Sequence, residues 1–569
     1  MAIPFASVKC RRVGSIRLLD AAPTAVVATG PMRPTRAPDA RRPRHEAAGE
    51  WPQPSLWALL EARVERTPER VYLIEGREGG RQYTFGDLHA RAARIAAALH
   101  RLGIGPGDVV SWQLPNWFEG VALAAAIDRV GAVSNPIITI YREQEMTFVC
   151  RQARSRVLVV PGVVRGTDHL EIAAAVRAAA PDLEHVLTVR AAPGAGMQAL
   201  EALEESAASL GSPSPPGPHD VSMLFYTSGT TADPKGVLHT PSTLGAVNHF
   251  HAKLFRPSPD DRTLLQFPLT HVGGILLFVM HQLRWGSSAV FMETYDPELA
   301  IELIARHGVT AAGGPPAVLQ GMLGAQGFSA EKVRSVRLTG SGAADVSPEL
   351  MRMATERFGS LAYRSYGMTE CPILSCGAPA DPEEKLHGTD GRPSPGCTAR
   401  LVDDTGRPVP PGVEGEIEAY GPQLCVGYLD PALNAAFTAD GFFRTGDLGI
   451  LDQTGFLRIT GRRKDIIIRK GENLSAKGIE DVLAEHPKIA DVAVIGVPDR
   501  TSGERVCACV VLHTGAGDLS LAEIRAFMEV RQVMRQKIPE QLEILPELPR
   551  NATGKVRKDV LRARFRAAS

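Results

Sequence analysis

From residue 71 to residue 363 the chain repeats one pattern. A short apolar run is followed by a longer segment whose apolar positions recur at helical spacing. The runs 71–75, 108–113, 132–136, 156–160, 264–267, 288–291, 309–312, 336–338 and 361–363 read as strands. Segments 56–66, 85–102, 120–130, 141–154, 272–283, 297–306 and 348–357 read as helices. Ser55 and Thr84 stand where helix N-caps are needed, and Gly103, Gly105 and Gly107 stop the second helix. Strands that alternate with helices are satisfied by a sheet with helices on both faces, which makes this an α/β chain.

The pattern changes near residue 385. Short strands at 398–402, 414–420 and 456–459, separated by Gly/Pro turns, predict a smaller twisted or barrel-like sheet. After a charged segment at 462–465 comes a last α+β module with helices 477–486 and 520–537 and strands 491–496 and 504–512. A length of 569 residues exceeds what one simple core organises. The expected fold is therefore a large N-terminal domain of layered mixed sheets with helices over 51–461, whose 385–461 part is a β-rich, barrel-like subdomain. A small, mobile α+β C-terminal domain follows over 462–569. Residues 191–220, rich in Ala, Gly, Ser and Pro, read as a surface connection. Residues 1–50, with arginines scattered among Ala and Pro, read as a disordered tail. An organelle-targeting segment, or an over-long start with initiation at Met32, are the alternatives.

A formal net charge of 0 gives no argument for a nucleic-acid partner. No apolar run is long enough to span a bilayer. Eight cysteines in this length make no disulfide framework, and they read as buried reduced thiols suited to a cytoplasmic protein.

Residues 223–236, Met-Leu-Phe-Tyr-Thr-Ser-Gly-Thr-Thr-Ala-Asp-Pro-Lys-Gly, carry the strongest chemical signal. An apolar strand runs into a loop of hydroxyls and glycine that ends on Lys235. Such a loop can wrap a polyphosphate with N–H groups, hydroxyls and a cation. It lacks the Gly-Lys-Ser/Thr spacing of the common nucleotide loop, and alone it would pass for an ordinary turn. Residues 363–370 bring Tyr366, Gly367, Thr369 and Glu370 to the end of a strand, where open α/β sheets bind ligands. Tyr366 can stack on a purine, and Glu370 can hold magnesium on phosphates. Asp447, after the turn of Thr445 and Gly446, suits two vicinal ribose hydroxyls. Residues 461–465 are basic enough to face an anion, and Lys555 is presented by a Gly turn near the C-terminus.

In this order the motifs resemble the adenylate-forming family of acyl-CoA synthetases, luciferases and peptide-synthetase adenylation domains, over residues 54 to 565. The resemblance implies ATP, Mg2+ and coenzyme A. It makes Thr227, Ser228, Gly229, Thr230, Thr231 and Lys235 the phosphate loop, with Thr231 and Glu370 on the metal. Tyr366 and Gly367 lie at the adenine with Gly342 and Ala343, Thr369 lies by the α-phosphate, and Asp447 and Arg462 lie on the ribose. Lys464 is implied as the hinge, Lys555 as the lysine of the adenylation step, and Gly471 as part of the pantetheine channel. His271 falls beside the carboxylate, and Gly313, Gly314 and Gly342 wall the acyl pocket. One departure is Gly478, where the family commonly has glutamate; a local stability effect is expected there.

The implied reaction joins a carboxylate to the α-phosphorus of MgATP, expels pyrophosphate, and then passes the acyl group to a thiol as AMP leaves. Residues 113–117, 135–143 and 473–477 resemble the cyclohexanecarboxylate-CoA and fatty-acid-CoA ligase branch. Because no buried aspartate is evident to pair with an ammonium, an apolar carboxylic acid is expected rather than an amino acid. CoA is the expected acceptor, with a separate carrier protein as the alternative, and a homodimer is left open.

Overall fold

A computed structural model describes residues 42–51, 54–77, 79–206, 211, 214–227, 234–469, 472–499, 502–531, 533–551 and 554–566. All of them belong to the unit Met32–Ser569.

Two large sheets carry the chain from Val71 to Pro393. One is seven-stranded, in the order Lys235–His239, Met223–Thr227, Val133–Pro136, Val109–Trp112, Val157–Pro161, His185–Val189, Gln198–Ala199. The other is nine-stranded, and its middle places Ala311–Gly314, Leu338–Ser341 and Leu361–Met368 side by side in parallel. Parallel strands buried on both faces explain the unbroken apolar runs of the sequence. Local signals set the helices. Ser55 caps Leu56–Arg66 through the Ala58 N–H, and Thr84 forms a capping box with Asp87 at the start of Phe85–Arg101. Helix Phe118–Arg129 is apolar on nearly every face because it lies inside the largest core, among Trp112, Leu269 and Leu276. The helix expected at 272–283 is present but contains a π turn at Leu276–Met280, a local widening common next to functional sites.

The β-rich segment is an antiparallel meander of Thr398–Val402, Glu414–Tyr420, Phe443–Leu451 and Leu457–Arg462. Its first and last strands are opposite edges, so it is open rather than barrel-like. The C-terminal module packs helices Ala476–Leu483 and Leu521–Val530 on a five-stranded sheet with its own core, including Ile467, Ile479, Val506 and Ile524.

Several expectations are corrected. The part of the tail at 42–50 that falls among the described residues is folded. Helix Arg42–Ala47 buries His45, and Trp51 packs on Ala246 and Phe250 while its Nε1 donates to the Pro422 carbonyl at 2.7 Å. The connection at 191–220 contains helix Leu200–Glu205, anchored by buried Leu200 and Glu204. The helix predicted at 520–537 stops at Val530. There the chain must turn to supply Gln541–Ile544, which pairs in parallel with Cys507–Val510. Strand Leu361–Met368 runs beyond Tyr363 because Ser365, Tyr366 and Met368 find antiparallel partners in Cys371–Cys376. None of the described cysteines is in a disulfide. No helix among the described residues is long and apolar enough to cross a membrane.

Candidate active site

The ends of the nine-stranded sheet, the last strands of the meander and the C-terminal module enclose a cleft of about 1230 Å3. Ala343, Tyr366, Gly367, Asp447, Arg462, Lys464 and Lys555 all line it, although they are spread over more than two hundred positions of the chain. Asp447 is nearly buried. Its Oδ2 accepts from the Tyr366 hydroxyl at 2.7 Å, and its Oδ1 lies 2.7 Å from Arg462 Nε. The pairing of Phe443–Leu451 with Leu457–Arg462 sets this geometry by placing Asp447 opposite Arg462. Burial first, and then the Asp447 charge, push the Tyr366 phenol well above its ordinary range, so it stays a hydrogen-bond donor.

Lys555 enters from the other side. Its turn has Gly554 at φ 80°, close to Pro315, and its backbone N–H donates to Asn551 Oδ1 at 2.9 Å. Burial and the neighbouring Arg462 guanidinium push the Lys555 ammonium down to about 7. Lys464, at the turn Arg463–Asp465, is pushed down to about 8 by partial burial and then by Arg462. Neither lysine forms an ion pair among the described residues. Three cations thus converge on a cleft whose nearest carboxylates, Asp447 and Asp465, are already paired with Arg462 and Arg562. A polyanion placed there would relieve their repulsion.

Behind the lining residues Ala343, Tyr366 and Gly367, the strand ends are glycines whose backbones almost touch. Gly313, at φ 157°, and Gly314, at φ 150°, occupy conformations that other residues avoid, and a Cβ on Gly313 would drive into the Gly340 carbonyl oxygen. Gln266 Nε2 donates to the Gly313 carbonyl, and Ser341 Oγ donates to that of Gly314 at 3.0 Å. A Cβ on Gly342 would meet the Ser365 oxygens at 2.7 Å, and one on Gly367 would strike the Pro372 carbonyl. Ala343 adopts φ 64°, a left-handed backbone that costs a non-glycine residue roughly 1–2 kcal/mol.

Thr227 and Lys235 are a cross-strand pair that closes the hairpin of Met223–Thr227 and Lys235–His239. Ser228, Gly229, Thr230 and Thr231 lie outside the described residues, as does Gly471. Thr227, Lys235, His271, Gly313, Gly314, Gly342, Thr369 and Glu370 are described but do not line the cleft itself. His271 caps helix Val272–Ile275, its Nδ1 accepting from the Gly273 N–H at 3.1 Å. Burial lowers its imidazole to about 4, so the ring is neutral near pH 7 and Nε2 carries the proton.

Two residues that sequence reasoning missed hold Thr369 and Glu370. His239 Nε2 donates to the Thr369 carbonyl at 2.8 Å, and burial keeps that imidazole neutral by lowering it to about 4. The Tyr428 hydroxyl donates to Glu370 Oε1 at 2.5 Å. His239 had a local signal, since it follows the loop strand and precedes the capping Thr240; Tyr428 had only a Gly-aromatic turn at 427–428. The second oxygen of Glu370 has no hydrogen bond among the described residues. Magnesium on a nucleotide takes one or two carboxylates and fills its remaining positions with phosphate oxygens and water, and a single available carboxylate oxygen fits that need. The described residues hold no cluster of three or more His, Cys, Asp or Glu that would cage a metal by itself.

Residues 60–429 match the family described as AMP-binding enzyme, and residues 478–555 match the AMP-binding enzyme C-terminal domain. The chain is 35% identical over 543 residues to a 2-hydroxy-7-methoxy-5-methyl-1-naphthoate–CoA ligase of Streptomyces carzinostaticus, covering 92% of this chain and 96% of that one. It is 34% identical over 535 residues to the salicyl-AMP ligase / salicyl-S-ArCP synthetase of Mycobacterium tuberculosis, covering 92% of each. Among solved structures, ATP-bound MatB from Rhodopseudomonas palustris matches with a TM-score of 0.82 at 29% identity, over 90% of this chain and 99% of that one. This chain belongs to the AMP-binding enzyme family.

Proposed function

We propose that the chain activates a small apolar or aromatic carboxylic acid with MgATP and then passes the acyl group to coenzyme A, as an AMP-forming acid–thiol ligase. The observation that carries this reading is Lys555: a lysine lowered to about 7 by burial and by Arg462, facing the Asp447–Arg462–Tyr366 cluster across the cleft. A nucleoside triphosphate supplies what that arrangement needs, a ribose for Asp447 and phosphates for the cations.

In the first half-reaction a carboxylate oxygen of the acid bonds to the α-phosphorus, the bond from that phosphorus to the bridging oxygen breaks, and pyrophosphate leaves. Lys555 neutralises charge on the reacting carboxylate and α-phosphate, and Arg462 and Asp447 fix the sugar. Magnesium, held through Glu370 and Thr231, would offset charge on the β- and γ-phosphates. In the second half-reaction the thiol sulfur bonds to the acyl carbon, its proton is lost, and AMP departs with the carboxyl–phosphate oxygen. Lys555 must withdraw to admit the thiol, and the turn at Arg463–Asp465 with Lys464 is the proposed hinge, joining residues 51–461 to 462–569.

An apolar acid is supported by the surroundings of His271. Phe267 and Phe278 meet edge to face with centroids 5.2 Å apart, and Val318 lies against Gly314. Similarity to a relative named for an aryl-carrier-protein product keeps loading of a carrier protein as the second reading. Pyrophosphate release measured over a panel of apolar, aromatic and amino acids, with and without CoA, tests the proposal. Acid-dependent release with a CoA thioester supports it; acid-dependent release without a thioester in the presence of CoA favours the carrier reading. No release with any acid overturns both.

A further inference from the structure

Between strand Val109–Trp112 and helix Phe118–Arg129 lies a turn whose two carboxamides reach in different directions. Asn116 Nδ2 donates to the carbonyls of Phe267 at 3.1 Å and Met292 at 2.8 Å, while its Oδ1 accepts from the Leu269 N–H at 2.7 Å. One donor and one acceptor position are therefore committed to the segment that leads into His271, and the other donor ties it to the end of strand Ser288–Phe291. Within that segment Pro268 has no N–H to offer. The next link is direct: the His271 N–H donates to the Pro268 carbonyl at 3.1 Å.

Gln113 faces the other wall. It is fully buried, and its Nε2 donates to the carbonyls of Ile138 at 2.9 Å and Tyr141 at 3.1 Å. Its Oε1 lies 2.9 Å from His169 Nδ1, which donates to it. Ile140 and Tyr141 line the cleft, as do Glu145 and Arg557, the latter two residues beyond Lys555. Neither carboxamide lines the cleft itself.

We infer that Asn116 and Gln113 are separate positioning residues, Asn116 for the acid beside His271 and Gln113 for the wall against which the Lys555 element closes. The inference rests on the proposed role of His271 beside the acid. Loss of the Asn116 donors takes a hydrogen bond from the Phe267 and Met292 carbonyls, and loss of the Gln113 donors leaves the Ile138 and Tyr141 carbonyls with only the Tyr141 N–H and the Arg142 guanidinium; either change lets the loop drift. Misplacement by an ångström far from the reacting atoms is enough to cost orders of magnitude in rate.

The two roles predict opposite kinetic signatures in acid-dependent ATP–pyrophosphate exchange by the full-length chain. Asn116→Asp keeps the shape and the acceptor for Leu269 but removes both donors. It should raise KM for the acid by about tenfold or more while KM for MgATP stays within about twofold. Gln113→Leu should lower kcat for exchange by about tenfold with KM for the acid within about twofold. Circular dichroism confirms that each variant is folded; where one is not, Asn116→Ser and Gln113→Asn, which each keep one polar group, are held to the same criteria. Variants that shift both KM values together, or that change only melting temperature, overturn the inference. A wild-type chain that shows no exchange with any acid instead overturns the reading of function on which it rests.

Discussion

The two faces of the cleft are held by different forces. The strand-end wall is packed backbone on backbone: Gly313 leaves no room for a Cβ beside Gly340, and Gly367 leaves none beside Pro372. The opposite face, which carries Lys555, meets the rest of the chain through charge. Lys477 pairs with Asp345, and Arg463 pairs with Asp404 at 3.0 Å and Glu416 at 2.7 Å. Asp404 is 89% exposed and Arg463 51%, so their pair is worth roughly 0–1 kcal/mol, whereas Lys477 and Glu416 are largely buried in theirs. Close backbone contacts leave the strand ends little room to move. A face joined through ion pairs suits the withdrawal of Lys555 that the proposed second half-reaction requires.

The contrast is broken most severely at Gly313. Gly313→Ala places a Cβ against the Gly340 carbonyl in a backbone conformation alanine avoids, and should destabilise by about 3 kcal/mol or more in urea unfolding. A loss under about 1 kcal/mol would show that the wall yields. On the other face, Lys555→Ala should slow acid adenylation by about 100- to 1000-fold while sparing thioester formation from supplied acyl-adenylate. Equal losses in both steps would remove its assigned role.

The acid–base behaviour of Lys555 refines the same point. In the free protein its ammonium titrates at about 7, so the charged form is present below that value and lost as pH rises through it. The kcat/KM for adenylation should therefore fall on the alkaline side of about 7, and Lys555→Arg, charged throughout, should flatten that limb. A flat wild-type profile would mean that the ammonium is held charged by other means.

Smaller effects are expected within the C-terminal module. Gly478 follows its capping Ser475 in helix Ala476–Leu483, and a Cβ there meets only Ser475 at 3.7 Å. Gly478→Ala should stabilise by up to about 1 kcal/mol, visible as a higher melting temperature. Asp345→Asn, which breaks one ion pair, should change stability by less than about 1 kcal/mol, yet make the 462–469 segment more open to proteolysis.

The alternation of strands and helices was legible because buried parallel strands and capped helices leave local marks. Ser288–Phe291 falls where its apolar run lies, and Ser55 and Thr84 cap the helices they precede. Of the residues that share the cleft, Tyr366, Asp447, Arg462 and Lys555 were legible because a turn or strand end presents a group that a nucleotide can use, whereas Ala343 and the hinge role of Lys464 came only from the family resemblance. What escaped depends on partners far along the chain. Phe443–Leu451 is a strand despite Gly446 and Gly449, because two neighbouring strands pair with it. His239 matters through the carbonyl of Thr369, and Tyr428 through the carboxylate of Glu370; the local signals at 239–240 and 427–428 do not reveal these partners, 130 and 58 residues away.

Helix Arg42–Ala47 and Trp51 carry a practical consequence. Composition alone invites expression of a shortened protein beginning near Pro54. Such trimming would strip the indole from Ala246 and Phe250 and leave the Pro422 carbonyl without its donor. The exposed patch would lie on helix Pro241–Phe255, which directly follows the hairpin of Met223–Thr227 and Lys235–His239. Recombinant work on this enzyme should therefore place tags and cleavage sites ahead of Arg42.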